Sequence, residues 1–409
     1  MPSDDLEATL SGGGEPQPAS TFHRSGFALT FILRMLTASL LIVIPLFVSE
    51  AFGVPHSDVG FFVLLLWAGN AVGVVAAVAG LRRQPASSIL GFFTLAAALA
   101  WMGSGASETE VLALTLLAGV GMGLAQPFLF VLMHLDSARD DPFRGVGLYT
   151  VALGLGLIAG PLSAAVVDQA FSLSAALFAF SGLACAGIGI VLARLATPGR
   201  ARHEDAVHPF SIPLMMRSFK SREFTRSFSV NLLYSFLLPL FLSFGAIFAE
   251  SRFGLSDSEA LVLFAAAFTA SVAFRAVEVR VHLDFEKTLL ISAVALTLAM
   301  PTMGLAQSLP VFVVGMLLFS IPNAYILPIT SFKALNSVDD SLVVNASYAF
   351  QASSGIAEFI TPAVSVVAIS SVGLSGMFTL SAFVALPTIF IAWRGRSGGL
   401  GVGAKTPRS

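Results

Sequence analysis

The length of the uncharged apolar segments is the feature that most constrains this chain. Residues 59–81 read VGFFVLLLWAGNAVGVVAAVAGL and contain no Asp, Glu, Lys or Arg. A helix of about 20 apolar residues matches the roughly 30 Å hydrocarbon core of a bilayer. Only 11% of the chain is charged, against about 25% in an average soluble domain. The sequence therefore predicts an all-α integral membrane protein.

Twelve such segments can be placed, with one long interruption after the sixth. We predict a disordered N-terminal tail at 1–26, a six-helix bundle at 27–195, a basic linker at 196–227, a second six-helix bundle at 228–393 and a C-terminal tail at 394–409. The spans are expected at 27–51, 59–81, 86–103, 111–135, 144–167, 172–195, 228–249, 258–281, 288–305, 310–333, 342–367 and 374–393.

The positions of Lys and Arg predict the orientation of the chain. Cytoplasmic loops are enriched in these residues, and with the N-terminus inside only Arg252 of the 22 lies in an outward loop. The N-terminal tail has no apolar region of its own, so no cleavable signal peptide is expected. We predict a multi-pass protein of the cell inner (plasma) membrane, with both termini and the linker in the cytoplasm.

The two halves share landmarks at one spacing. GLGLIAGPLSAAVV in span five overlays GIAEFITPAVSVVA in span eleven. Gly154 then pairs with Gly355 and Pro161 with Pro362, since 355 − 154 and 362 − 161 are both 201. The prolines of spans four and ten pair at the same offset. Parallel duplicated halves of six spans are typical of one large class of secondary transporter.

With these landmarks the sequence resembles the major facilitator superfamily of membrane transporters, over about residues 25–395. Span five of many exporters in that family carries Gly-x-x-x-Gly-Pro-x-x-Gly-Gly, and here the stretch from Gly156 reads GLIAGPLSAA. The resemblance implies twelve helices in two pseudo-symmetric bundles that rock about a central site. Other signatures are degenerate: the run between spans two and three is only GLRRQ, without its aspartate, and residues 275–287 contain no glycine.

Small residues in span five let helices approach closely, and a proline bends the helix that carries it. We therefore predict a moving interface at which spans from opposite halves meet. The alternative is ordinary packing of small residues around a proline kink. The predicted hinge and interface residues are Gly156, Gly160, Pro161, Gly355 and Pro362.

Polar residues inside apolar spans are costly in hydrocarbon and tend to face a cavity or a partner. Span eleven carries a polar stripe at helical spacing, whereas the residues 201 positions earlier are mostly apolar, so we expect a cavity whose polar wall lies in the second half. The stripe consists of Ser347, Gln351, Ser354, Glu358, Thr361 and Ser365.

Glu358 is the acidic residue placed deep in a span. Low dielectric constant disfavours a charged carboxylate relative to the neutral acid, which suits a group that takes up and releases protons. We predict that Glu358 is a proton-coupling site, with a structural carboxylate as the alternative. Arg34, about seven residues into span one, either binds an anionic solute or extends its stem to the cytoplasmic surface, and both interpretations stay open.

Further candidates come from the ends and centres of the spans. The gate candidates at the inner ends of the spans are Asp136, Arg275, Glu278 and Lys333. Arg275 and Glu278 are three residues apart and suit a local pair. Lys333 either pairs with Asp136 across the halves or is solvated. In the family that the sequence resembles, spans one, four, seven and ten line the centre. For each cavity candidate, packing is the alternative; they are Arg34, Asn70, Met122, Gln126, Asn231, Tyr234, Asn323, Tyr325, Gln351 and Ser354.

The sequence contains no nucleotide-binding loop and no group of residues with metal-ligand spacing, so no enzyme, cofactor, metal or nucleic-acid partner is expected. We expect a monomer among membrane lipids that moves a small organic solute, with the proton as coupling ion. Proton antiport that exports an amphipathic metabolite or drug is the first hypothesis. A proton symporter that imports an organic anion through Arg34 is the second. The third is a transport-inactive sensor or assembly protein with the same fold.

Overall fold

The computed structural model describes residues 20–80, 84–137, 142–196, 211–281, 284–339 and 342–398. These residues form helices joined by short turns. The helices are α1 (Ser20–Phe52), α2 (His56–Gly80), α3 (Gln84–Gly103), α4 (Glu108–Ser137), α5 (Pro142–Ala170), α6 (Leu173–Leu195), α7 (Ile212–Ser218), α8 (Arg222–Phe253), α9 (Asp257–Val281), α10 (Phe285–Gly304), α11 (Leu309–Asn336), α12 (Val343–Leu380) and α13 (Ala382–Gly398).

The twelve expected spans appear as eleven helical segments that are long and apolar enough to cross a membrane, counted over the described ranges. The last segment, Asn345–Arg394, has 50 residues, about 75 Å at 1.5 Å per residue, which is too long for one crossing. It is interrupted at Gly373, whose φ of 71° and ψ of 175° are not helical and favour glycine. Spans eleven and twelve therefore lie on either side of Gly373.

Helix ends differ from the expected span ends because the apolar stretch matches the thickness of the bilayer, whereas the helix can extend beyond it. Helix α1 begins at Ser20 and α8 at Arg222, both earlier than the predicted starts of the bundles at 27 and 228. Ser221 caps α8 by accepting a hydrogen bond from the backbone N–H of Phe224 at 3.2 Å. The predicted linker also contains the short helix α7.

In the first bundle, α4 packs between α2 and α3 through glycines. A Cβ atom on Gly123 would lie 2.0 Å from the carbonyl oxygen of Asn70 in α2, and one on Gly121 would lie 2.6 Å from that of Gly91 in α3. Only residues without a side chain allow such backbone approach. The second bundle is filled by aromatic rings instead, with Phe241 stacked on Phe319 at a centroid distance of 4.3 Å.

The two bundles meet at the end distant from α7, which we call the far end. We call the other end, where Ser211 before α7 donates its N–H to Asn345 in α12, the linker end. At the far end a Cβ on Gly60 of α2 would lie 2.3 Å from a methyl group of Val366 in α12. Ser258 of α9 also donates a hydrogen bond to Asp168 of α5 at 2.7 Å. These contacts close the far end.

Candidate functional site

A cavity lies between the bundles, lined by α1, α2, α4 and α5 on one side and by α8, α9, α11 and α12 on the other. It contains about 940 Å³ of space free of atoms, part of it continuous with solvent. The site therefore suits a small solute.

Most of the predicted cavity residues line this space. Their polar side chains were expected to avoid hydrocarbon, and the fold turns them inward, so Arg34 lies in the cavity. They are Arg34, Gln126, Asn231, Tyr234, Asn323, Gln351 and Ser354, and Glu358, predicted as the coupling site, lines the cavity too. The sequence analysis did not name Trp67, Tyr149 and Ser235 for this role, although they line the cavity too.

Three other candidates pack within the bundles and are not cavity-lining. Asn70 is 3% exposed and its backbone lies against Gly123 of α4. Met122 is buried in the core of the first bundle. The Tyr325 hydroxyl donates to the carbonyl of Phe274 at 2.6 Å, which ties α11 to α9. Helical spacing alone did not distinguish the packed face of α4 or α11 from the face turned to the cavity.

The polar stripe of α12 divides into two sets. Gln351, Ser354 and Glu358 line the cavity. The remaining hydroxyl groups bind backbone carbonyls: Thr361, for example, donates to Phe236 of α8 at 2.8 Å. The others of this second set, Ser347 and Ser365, donate within their own helix. Half of the stripe therefore serves packing.

A hydrogen-bond network orders the wall formed by α8 and α12. Asn231 donates through Nδ2 to Ser353 at 2.8 Å and to Ser354 at 3.0 Å. The hydroxyl of Ser235 lies 2.9 Å from that of Ser354. The Oδ1 atom of Asn231 is buried and has no hydrogen-bond partner in the part of the chain that the structure describes. It is an unpartnered acceptor on a residue that lines the cavity.

A second network joins α8, α11 and α9. Tyr234 donates to Oδ1 of Asn323 at 2.6 Å, and Nδ2 of Asn323 donates to Ser271 at 2.9 Å. Because these side chains satisfy one another, they hold a fixed orientation before any solute enters. The ordered hydrogen-bond networks of the cavity wall described here thus lie in the second bundle, although Arg34, Gln126 and Tyr149 make the first-bundle wall polar as well.

The glycines of span five make a close approach, but the predicted partner for Gly156 and Gly160 was wrong. A Cβ on Gly156 would lie 2.9 Å from Cβ of Arg34, and one on Gly160 would lie 2.6 Å from the carbonyl oxygen of Met35. Both contacts are with α1 of the same bundle. Gly154 faces the opposite bundle instead, 3.3 Å from Val272 by the same measure. The absent side chain at Gly156 thus makes room for the stem of Arg34.

The corresponding stretch of α12 is less crowded. A Cβ on Gly355 would have no heavy atom within 4 Å among the described residues, so the expected close contact is absent there. Pro161 and Pro362 lie inside α5 and α12.

Lys333, predicted either to pair with Asp136 or to be solvated, contacts two carboxylates of its own bundle. Lys333 forms ion pairs with Glu286 of α10 and, at 3.6 Å, with Glu223 of α8. Arg226 forms two parallel bonds to the same Glu286, at 2.6 and 3.0 Å. This cluster ties α8, α10 and α11 together at the linker end. The side chains of Asp136 and Glu278 lie outside the described residues.

Arg275 lines the cavity and also supports a proline-containing helix. Its Nε donates to the carbonyl of Ala324 and its guanidinium to that of Asn323, both at 2.9 Å. Pro328 has no N–H for the carbonyl four residues earlier, so Arg275 replaces the hydrogen bond that the proline removes.

The chain forms two six-helix bundles around a central polar cavity. This fold is that of the transporters of the major facilitator superfamily, and the chain is a multi-pass membrane protein. No protein-family model matches the sequence, and no curated protein matches it. The chain is similar in structure to a point mutant of the nucleoside transporter NupG (TM-score 0.69, 14% identity, 92% of this chain and 99% of that chain).

Two further solved structures have the same architecture. A POT family transporter in complex with a thioalcohol-conjugated peptide has a TM-score of 0.73 at 12% identity and covers 93% of this chain and 96% of its own. The human organic anion transporter MFSD10 (TETRAN) has a TM-score of 0.61 at 16% identity and covers 92% and 99%. At these identities the likeness concerns the fold.

Proposed function

We propose that the chain is a secondary active transporter that moves a small organic solute by alternating access. The observation that carries the proposal is a polar cavity between two bundles whose contacts close the far end. Gly60 lies against Val366 at the far end, whereas cavity residues such as Tyr149 and Gln351 lie near the helix ends at the linker side. This arrangement corresponds to one of the two states that such a cycle requires.

Proton antiport through Glu358 is the proposed coupling, with export of an amphipathic metabolite or drug as the direction. Glu358 lines the cavity, so its protonation and the presence of a solute influence each other directly. The charged and ionisable groups that line the same space are Arg34, Arg275, Tyr149 and Tyr234. Leucines and Trp67 on the walls suit an amphipathic solute.

Import of an organic anion together with a proton is the second candidate. It is supported by Arg34, whose buried Nε has no hydrogen-bond partner within the described ranges. Similar solved structures include nucleoside, peptide and organic anion transporters, which supports a solute-carrying role without selecting the solute.

Purified protein in liposomes loaded with a pH-sensitive dye tests the coupling. Amphipathic metabolites and organic anions are added one at a time under an imposed pH gradient, and the direction in which protons move separates antiport from symport. Glu358→Gln keeps the size and hydrogen-bonding capacity of the side chain but removes the proton, so gradient-driven flux should vanish while solute exchange persists.

Glu250→Gln is the matched control, because Glu250 lies at the far end of α8 and does not line the cavity. This variant should retain coupled flux. Full gradient-driven accumulation by Glu358→Gln would exclude Glu358 from the coupling. Failure of every solute to move protons through the wild-type protein would favour a transport-inactive role.

A further inference from the structure

We propose that the cavity binds a compact zwitterion, a solute with a carboxylate at one end and an ammonium group at the other. The inference rests on the proposed function in one respect, that this cavity is the solute site. It follows from the donors and acceptors that lack partners on the two walls.

The wall formed by the first bundle offers donors. Nε of Arg34 in α1 and Nε1 of Trp67 in α2 are buried, and neither has a hydrogen-bond partner among the residues that the structure describes. Both residues line the cavity. Guanidinium and indole nitrogens only donate, and Arg forms strong charge-assisted bonds with carboxylates. This wall therefore suits the carboxylate of a solute.

The wall formed by the second bundle offers acceptors. Asn231 gives its amide hydrogens to Ser353 and Ser354, which leaves its buried Oδ1 as a pure acceptor. Glu358 of α12 lines the same side of the cavity. An ammonium group has three donors and no acceptor, so it matches a carboxylate next to an amide oxygen.

Arg34 and Glu358 line the same cavity, and no direct ion pair joins them in the described part of the chain. Opposite charges held apart in a site of low dielectric constant are costly unless each gains a partner. A zwitterion supplies both partners and adds no net charge. Arg275, the other cavity-lining arginine, already binds the carbonyls of Asn323 and Ala324.

Equilibrium binding to the purified full-length protein tests the inference without requiring transport. Isothermal titration with linear ω-amino acids, from glycine to 6-aminohexanoate, measures affinity against the separation of the two charges. One chain length should bind best. If it is 5-aminopentanoate, the matched probes are hexanoate and pentylamine, in which a methyl group replaces one charged group. Each should bind about 10–100-fold more weakly, since each loses one charge-assisted interaction.

Two variants assign the ends. Glu358→Gln should abolish the preference for the zwitterion over hexanoate, and Arg34→Gln should abolish its preference over pentylamine. Arg34→Lys keeps the positive charge and should keep part of that preference, which separates loss of binding from loss of folding. Glu250→Gln at the far end should leave all affinities unchanged.

Equal binding of hexanoate and the best zwitterion would overturn the inference and indicate an anion site. Absence of binding by the whole series, or affinity independent of chain length, would overturn it as well. These results leave the proposed transport intact, because proton-coupled flux of other solutes is measured separately. Loss of that flux with zwitterion binding retained would instead remove the proposed function alone.

Discussion

Replacement of Gly123 by Ala should destabilise the first bundle through a single contact. The added Cβ would lie 2.0 Å from the carbonyl oxygen of Asn70, whereas close carbon–oxygen contacts in proteins are about 3.3 Å. Helices α2 and α4 must then separate locally by roughly 1.3 Å, the difference between these distances. A gap of that size forfeits more than a quarter of the dispersion attraction along the contact. Overpacking of this kind costs about 1–3 kcal/mol.

Gly182→Ala in α6 is the matched control, because a Cβ there would have no described heavy atom within 4 Å. Both substitutions lie inside helices and gain the same intrinsic helix propensity, about 1 kcal/mol relative to glycine. The difference between the two variants therefore isolates the steric cost. We expect Gly123→Ala to be less stable than Gly182→Ala by about 1–3 kcal/mol.

Unfolding by sodium dodecyl sulfate in mixed micelles, followed by tryptophan fluorescence, measures the free energies. A double substitution gives a further test. Gly119 and Gly123 both face α2, so one displacement relieves both clashes and their costs should be less than additive. Gly121 faces α3, so its cost should add to that of Gly123. Equal stability of the Gly123→Ala and Gly182→Ala variants would refute the packing argument.

Two further results are expected. Glu286→Gln removes the carboxylate that Arg226 and Lys333 share, so it should lower stability by about 1–3 kcal/mol, less than for a fully buried pair because the cluster is partly exposed. Thermal unfolding in detergent should show a lower Tm, and an unchanged Tm would mean that the cluster does not stabilise the fold. A cysteine at Gln307 should react with an impermeant thiol reagent in intact cells, and one at Asn336 only after permeabilisation; the reverse pattern would invert the predicted orientation.

The sequence could predict cavity residues where a polar side chain lies in the middle of an apolar span. Arg34, Gln351 and Glu358 are polar residues in spans that otherwise read as hydrocarbon-facing, and burial in lipid would be costly for each. The fold resolves that cost by turning them toward one shared space. The repeat added the asymmetry, because the stripe of span eleven has mostly apolar counterparts in span five.

The packed and cavity-facing sides of one helix could not be separated in the same way. Met122 and Gln126 lie four residues apart in α4, yet Met122 is in the core and Gln126 lines the cavity. The tilt and crossing of helices decide such cases, and these depend on glycine contacts with α2 and α3. Likewise, the pairing of Arg226 with Glu286 joins residues 60 positions apart, a distance at which local spacing selects no partner.

The prolines of spans four and ten occupy equivalent positions, but the two bundles accommodate them differently. Pro328 of α11 frees the carbonyl of Ala324, and Arg275 of α9 donates to it at 2.9 Å. The residue 201 positions before Arg275 is Val74, which has no side-chain donor, and there α2 and α4 approach backbone to backbone through glycine. Helix packing in the second bundle thus uses an embedded cation, whereas in the first it uses the absence of side chains. Because Arg275 is bound to its own bundle, the arginine of α1 is the cation that we assign to the solute.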